Sequence, residues 1–433
     1  MSAVMDRLTG TEITGAPRGA VVKRYRYRAY PDQGQATALA RLFGCVRVVF
    51  NDVIAAREAA HRTGSPFPSA GELSKRLLTA AKKTPQRAWL DEVSAVPLQQ
   101  ALTDADRAYR NFFASTIGRH KGRRVGVPRF KSKRGKQSAR FTRNAGFKTQ
   151  QTTHGAGFLT LPKIGRVRFA LSRPLPSEPS SVTVIREADG RYYLSFVVDV
   201  PTPEPLPLTD RAAGVDVGLT DLVAIAYSDG AREKIANPKW LQTKERALAR
   251  AQRSLARKQK GSQNRDKARH RVAALHRKVR EARLDHHHKL ARRLIDKNQV
   301  VVVEGLNVAA LARTRMGKSV HDAGWSTLIR LVQEKAAEHG REVRVMARWE
   351  PTSQVCAVCG VKDGPKPLHV RQWTCRACGA RLDRDYNAAV NIMLAAGLAE
   401  NLNACGPDVR RTLACADRVE AGTHRTDRDT AAV

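Results

Sequence analysis

Asn298 to Val308 reads NQVVVVEGLNV. Four consecutive valines show no polar alternation, so neither face of this segment is written for water. A run of this kind suits a strand covered on both sides, as in sheets with helices packed on both faces. Glu304 follows the last valine, at the carboxyl end of the strand. In open α/β sheets ligands collect beyond that edge. The stretch predicts an α/β domain and marks Glu304 as a candidate functional residue.

Two other acidic stretches fit the same domain. AAGVDVGLTDLVAIAYSDG begins at Ala212 and predicts a strand through Val215, Asp216 and Val217. A turn follows over Gly218–Asp221, then a second strand over Leu222–Tyr227. An aspartate inside an apolar strand is costly to bury unless its charge is met. Further on, LDRDYNAAVNIML places Asp383 and Asp385 just before or within the first turn of an amphipathic helix. Carboxylates from a first strand, a later strand end and a late helix can converge on divalent cations. Mg²⁺ suits such hard oxygen ligands. Two such ions flanking a phosphate activate water and stabilise the leaving oxygen. Each carboxylate taken singly is equally explained by a cap or a salt bridge.

Just ahead of that helix lie Cys356 and Cys359, then Cys375 and Cys378, each pair separated by two residues. The spacing matches a zinc ribbon, in which four thiolates close a tetrahedral site. One Zn²⁺ there is structural, because no coordination position is left open. A redox dithiol needs only one pair. Cys45, Cys405 and Cys415 have no spaced partner and read as free thiols.

The 433 residues carry a net charge of +37, which calls for a polyanion, and nucleic acid is the natural one. Basic residues crowd Gly118–Asn144, with Phe130 and Phe141 interleaved. That stretch reads as a phosphate-contacting surface with aromatics available for stacking. Val21–Ala29 alternates as a strand, and a helix starts at Pro31 and Asp32. Helical patterns then run to about Ser115. SVTVIREADGRYYLSFVVDV, from Ser181, is a hairpin turning at Asp189-Gly190. The proline-rich segment Pro201–Asp210 places the main domain boundary. Leu241–Ile295 predicts two basic helices broken at KGSQNR. Asp285–His288 reads DHHH, but consecutive helical residues splay about 100° apart and do not converge on one ion. No apolar run reaches the ~18 residues of a membrane helix. Nor does the N-terminus carry the apolar core of a signal peptide. The expected location is therefore intracellular.

In order along the chain, GVDVG, VVVEGLNV, PTSQVCAVCG with WTCRACG, and DRDYNAAVNI resemble the TnpB family of transposon-encoded, RNA-guided DNA endonucleases. These are relatives of type V CRISPR effectors. RYRAYPDQGQATALARLFGCVRVVFN, GRYYLSF and LARKQKGSQNRDKARHRVAALHRKV extend the likeness over roughly residues 21–400. The resemblance implies a multidomain α/β protein. An RNase H-like RuvC nuclease domain would span 206–350, with an inserted zinc ribbon at 351–382 and its last helix at 383–400. A β-barrel wedge domain would span 21–32 and 118–205. A helical recognition lobe at 33–117 would be inserted in it. Residues 1–20 and 401–433 would be a disordered leader and tail.

The resemblance further implies that Asp216, Glu304 and Asp385 are the catalytic Mg²⁺ ligands, with Asp383 as an outside candidate for the last. Cys356, Cys359, Cys375 and Cys378 would hold the zinc. Guide RNA and double-stranded target DNA would be the partners, with cleavage beside a short motif. A compact CRISPR effector of the same descent fits equally well by domain content. A non-cleaving RNA-guided repressor and a direct transposase fit less well, given the intact acids and the zinc insert.

Overall fold

The alternating start of the chain forms strand β1 (Val21–Tyr30), with Tyr27 and Ala29 turned inward and buried. Asp32 caps the next helix, α1 (Gln33–Arg62), accepting from the Gln35 N–H while the Gln35 side chain accepts from Asp32 N–H. The structure, a computed structural model, describes residues 20–397 apart from 121, 123, 153, 154, 348, 349 and 368. The expected leader, but for Ala20, and the expected tail, with Cys405 and Cys415, lie outside these residues.

The described chain divides into two compact units. The first runs to Thr202 and includes Arg246–Arg277. After α1 come a short helix α2 (Ala70–Ser74) and a long one, α3 (Ala95–Thr116). Buried Arg57 of α1 meets Asp106 of α3 at 2.6 Å, which joins the two helices. Six further strands follow: β2 (Gln137–Thr142), β3 (Lys148–Gln151), β4 (Ala156–Leu161), β5 (Gly165–Ala170), β6 (Ser181–Arg186) and β7 (Tyr192–Val200). With β1 they form one antiparallel sheet in the order β2-β6-β7-β1-β5-β4-β3.

Where a barrel is expected, the hydrogen-bonded ladder stays open between β2 and β3 among the described residues. Side chains of the helices tie down the β2 edge instead: Arg140 pairs with Asp104 at 2.6 Å, and Arg47 reaches Gln137 at 3.0 Å. The expected stacking role of Phe141 does not survive, because β2 alternates and turns Ala139 and Phe141 into the core. Phe130 remains exposed. The hairpin β6–β7 forms as expected, with Gly190 at φ +82° in its turn. Asp189 in that turn accepts from Arg277 at 2.6 Å.

The second unit holds Pro203–Glu245 and the chain from Lys278 onward. Its strands are β8 (Ala212–Val217), β9 (Asp221–Tyr227), β10 (Arg232–Ala236), β11 (Val300–Glu304) and β12 (Glu342–Met346). They form a mixed sheet, ordered β10-β9-β8-β11-β12. The first three strands meander antiparallel, and β11 and β12 join parallel to β8. The basic helices are α4 (Trp240–Ala256) and α5 (Gln263–Lys297), broken where expected. Residues 246–277 of the pair count with the first unit. Short helices α6 (Val308–Leu311) and α7 (Gly317–Ala323) lead to α8 (Trp325–His339). A small ribbon, β13 (Gln372–Thr374) and β14 (Arg381–Asp383), precedes the last helix, α9 (Arg384–Leu394).

Strand alternation sorts the core of this unit into two layers. Ala213, Val215, Val301 and Val303 pack with Leu290, Leu294 and Leu328, on the face covered by α5 and α8. Ala212, Val300 and Val302 pack with Ile392 and Met393, on the face covered by α9. The four valines are thus buried on both sides of the sheet. Among the described residues no helix is long and apolar enough to cross a membrane.

Candidate active site

The same alternation decides where the acids point. Asp216 follows Ala212 and Gly214 on the α9 face of β8. Glu304 follows Val300 and Val302 on the α9 face of β11. The strands run parallel with Val303 opposite Val215, so Asp216 and Glu304 are neighbours at the carboxyl edge. Gly214 makes room for the helix above them: a Cβ there would lie 2.1 Å from the Ala389 carbonyl oxygen.

Helix α9 delivers the third acid. Asp383 is its N-cap, accepting from the N–H groups of Asp385 and Tyr386 at 3.1 and 3.0 Å. Asp385 stands in the first turn. Of the two aspartates in DRD, the first is therefore occupied with the helix end, and the second faces the sheet acids. Asp216 keeps partial contact with solvent but lies deep among protein atoms. That burial, then the charges of Glu304 and Asp385, push its carboxyl up to about 8. Burial raises Glu304 as well. Three carboxylates in one low-dielectric corner repel one another, and a hard divalent cation is the chemistry that relieves them.

Two cations of the chain itself already approach Asp385. Lys234 Nζ, from β10, lies 3.2 Å from Asp385 and 2.8 Å from Asp383. Arg371 donates to the other Asp385 oxygen at 3.3 Å and to Thr220 Oγ1 at 2.8 Å. Burial works to raise Asp383, but the Lys234 ammonium and the N–H donors hold it below its ordinary range.

The four cysteines close more tightly. The sulfurs of Cys356, Cys359, Cys375 and Cys378 all lie within 4.8 Å of one another and could hold a metal. Among the described residues they are the one group of ligand atoms drawn that close. Two matching knuckles build the cluster. In each, the glycine after the second cysteine turns left-handed, Gly360 at φ +73° and Gly379 at +70°. Its N–H returns to the carbonyl of the first cysteine, at 2.8 Å in one knuckle and 2.9 Å in the other. The backbone N–H of Cys378 draws Cys375 down to about 7, while burial pushes Cys359 up to about 12. One favoured thiolate among crowded thiols is a donor set that fits a thiophilic divalent cation.

The knot is wired to the last helix. Asn387 and Asn391, one turn apart on α9, each donate to the Val355 carbonyl at 2.7 Å. Both also donate to the Thr352 carbonyl, at 3.3 and 2.7 Å. Asn387 in turn accepts from Ala357 N–H at 2.8 Å. Composition hides this clamp, although two asparagines spaced by four on an apolar helix face are a usable signal. Lys234, Arg371 and Gly214 leave no comparable trace in the sequence.

DHHH forms no metal group: the rings of His286 and His287 stand edge-on to Trp240, with centroids 5.4 and 5.5 Å away. Cys45 is a free, buried thiol, pushed up to about 11 by burial.

Residues 195–315 match a family profile described as "Probable transposase", and 325–392 match "Cas12f1-like, TNB domain". A third profile, "Helix-turn-helix domain", matches 21–65, where the chain forms β1 and the single long helix α1. Over 395 residues the chain is 43% identical to a Streptomyces pristinaespiralis protein named "Putative RNA-guided DNA endonuclease", covering 90% of this chain and 92% of the relative. A "TnpB-like protein L79" of Acanthamoeba polyphaga mimivirus is 24% identical over 241 residues, 51% of this chain and 44% of that one. Among solved structures, a Cas12f1-sgRNA-target DNA complex shares the fold at a TM-score of 0.55 and 13% identity, over 86% of this chain and 98% of that one.

Proposed function

Because the chain belongs to the TnpB family, we propose that it is an RNA-guided DNA endonuclease cutting at the acid cluster of Asp216, Glu304 and Asp385. The observation that carries the proposal is that β8, β11 and α9 bring these acids to one corner, where burial, then the charges of Glu304 and Asp385, push Asp216 up to about 8. The mixed five-stranded sheet with its late helix is, on this reading, an RNase H-like RuvC nuclease domain. The first unit supplies the wedge and the helical recognition lobe. Guide RNA and target DNA are the polyanions that the net charge of +37 answers, with base pairing reading the sequence and protein contacts going to backbone and shape.

Asp216, Glu304 and Asp385 would hold Mg²⁺, a pair of ions by the two-metal pattern. Bound there, Mg²⁺ supplies Lewis-acid polarisation of water and of the scissile phosphodiester. The chain's own part is to hold the two sheet carboxylates and that of α9 in one corner, where a bound cation would favour their charged forms. Cys356, Cys359, Cys375 and Cys378 would hold a structural Zn²⁺. Its role is to fix the knuckles from which the Asn387–Asn391 clamp positions α9, and with it Asp385.

Sequencing the RNA that copurifies with the chain identifies the guide, and DNA matched to it is then the substrate. Asp216→Asn is expected to lower cleavage by about three orders of magnitude or more while leaving RNA affinity unchanged. Undiminished cleavage by that variant would remove the acid assignment.

A further inference from the structure

Lys234 lies in a row that crosses the sheet. It pairs with Ala224 of β9, and Ala224 pairs with Asp216 of β8. Residues paired across neighbouring strands point to the same face, so Lys234 shares the α9 face of the sheet with Asp216. The ammonium there meets three carboxylates: Asp383 at 2.8 Å, Asp385 at 3.2 Å and Asp221 at 3.9 Å. The Tyr386 ring lies 4.9 Å away, and the lysine side chain is only 23% exposed. Arg371 engages the remaining oxygen of Asp385. Both oxygens of the last acid are therefore bonded to side-chain cations of the chain itself.

A carboxylate oxygen committed to an ammonium is a poor ligand, and a positive charge this close opposes the arrival of another. Asp383 is different. It is fixed at the helix end by the Asp385 and Tyr386 N–H groups, and it is the nearer partner of the lysine.

We propose that Lys234 is a resident counter-cation: it neutralises Asp385 while the acid cluster lacks a divalent ion and yields Asp385 when one binds, staying on Asp383. Lys234 is thus a positioning residue that sets metal affinity by competition. The inference rests on the reading of Asp216, Glu304 and Asp385 as cation ligands.

Mn²⁺ titration of the zinc-loaded full chain, freed of nucleic acid and followed by electron paramagnetic resonance, tests it. Asp216→Asn first identifies the Mn²⁺ bound at the acid cluster. Lys234→Met is expected to bind that Mn²⁺ at least about fivefold more tightly, and Lys234→Arg to stay within about twofold of the parent. Without Mn²⁺, Lys234→Met is expected to melt below the parent, with the gap closing as Mn²⁺ saturates. A lysine of purely structural value would lower melting at every Mn²⁺ concentration and tighten nothing. Unchanged or weaker Mn²⁺ binding by Lys234→Met overturns the inference. If instead Asp216→Asn leaves the parent's Mn²⁺ binding untouched, the acid-site reading fails, and this inference fails with it.

Discussion

An ionisable group inside a core can keep its charge only if something nearby answers it, and two residues here illustrate opposite outcomes. Asp216 is held deep in the protein and beside other acids, so its charge is expensive until a cation arrives. His287 is wholly buried against Trp240, and it avoids the problem by staying neutral. Burial, then Arg283, lowers its imidazole to about 4 from an ordinary 6.5. His286 and His288, its neighbours on α5, act in the same direction. The folded state thus binds fewer protons than the unfolded chain between these values. Stability from this group is complete above pH 6.5 and is lost as pH falls towards 4. Relative to His287→Leu, the parent is expected to lose about 3 kcal/mol across that window. Thermal melting of both proteins over the same pH range checks it. Parallel curves would mean that the imidazole does not titrate in the folded unit.

The element that matters most is α9, because it brings Asp385 down on to strands that already carry Asp216 and Glu304. Its height above the sheet depends on an absent side chain. With a Cβ at position 214 lying 2.1 Å from the Ala389 carbonyl, Gly214→Ala has to lift the helix. A displacement near 1 Å costs about 10²-fold in rate when reacting groups must be aligned. Cleavage by Gly214→Ala is expected to fall by about that factor, with guide RNA binding near the parent's, although no acid has been touched. Rates measured on matched DNA, beside RNA binding curves, check this. The same element is fixed laterally by Asn387 and Asn391, whose loss would leave the carbonyls of buried Thr352 and half-buried Val355 short of donors.

For the whole molecule, a four-cysteine knot distant in sequence from Asp216 and Glu304 is hydrogen-bonded to the helix that carries Asp385. Cys375→Ser removes one ligand of the four-cysteine cluster. Zinc content is expected to drop, the melting temperature to fall, and cleavage to weaken with Asp385 intact. Metal analysis, melting and cleavage on one preparation test the linkage. For the parent stripped by a chelator, recovery is expected on adding zinc together with magnesium and not on adding magnesium alone. Full cleavage by zinc-free protein would uncouple the knot from the active site. The charge of +37 belongs to this scale too, since it is spread along the chain and acts as a field on a long polyanion.

The sequence determined a good deal unaided. Runs and alternation set the strands: four valines mark β11 as buried on both faces, and the alternating β8 sends Asp216 to one side. Cysteine spacing marked the cluster of four sulfurs, and a capping pattern placed the start of α1. Such signals are local, carried by a few neighbouring residues and a fixed period. The tertiary structure alone decided the contacts between stretches far apart. It made Phe141 core instead of a stacking platform, left the seven-stranded sheet open at its edges, gave Asp383 to the helix cap, and set Lys234 and Arg371 on Asp385. Whether a lysine meets solvent or three aspartates is fixed by which strands become neighbours, and no period along one strand records that.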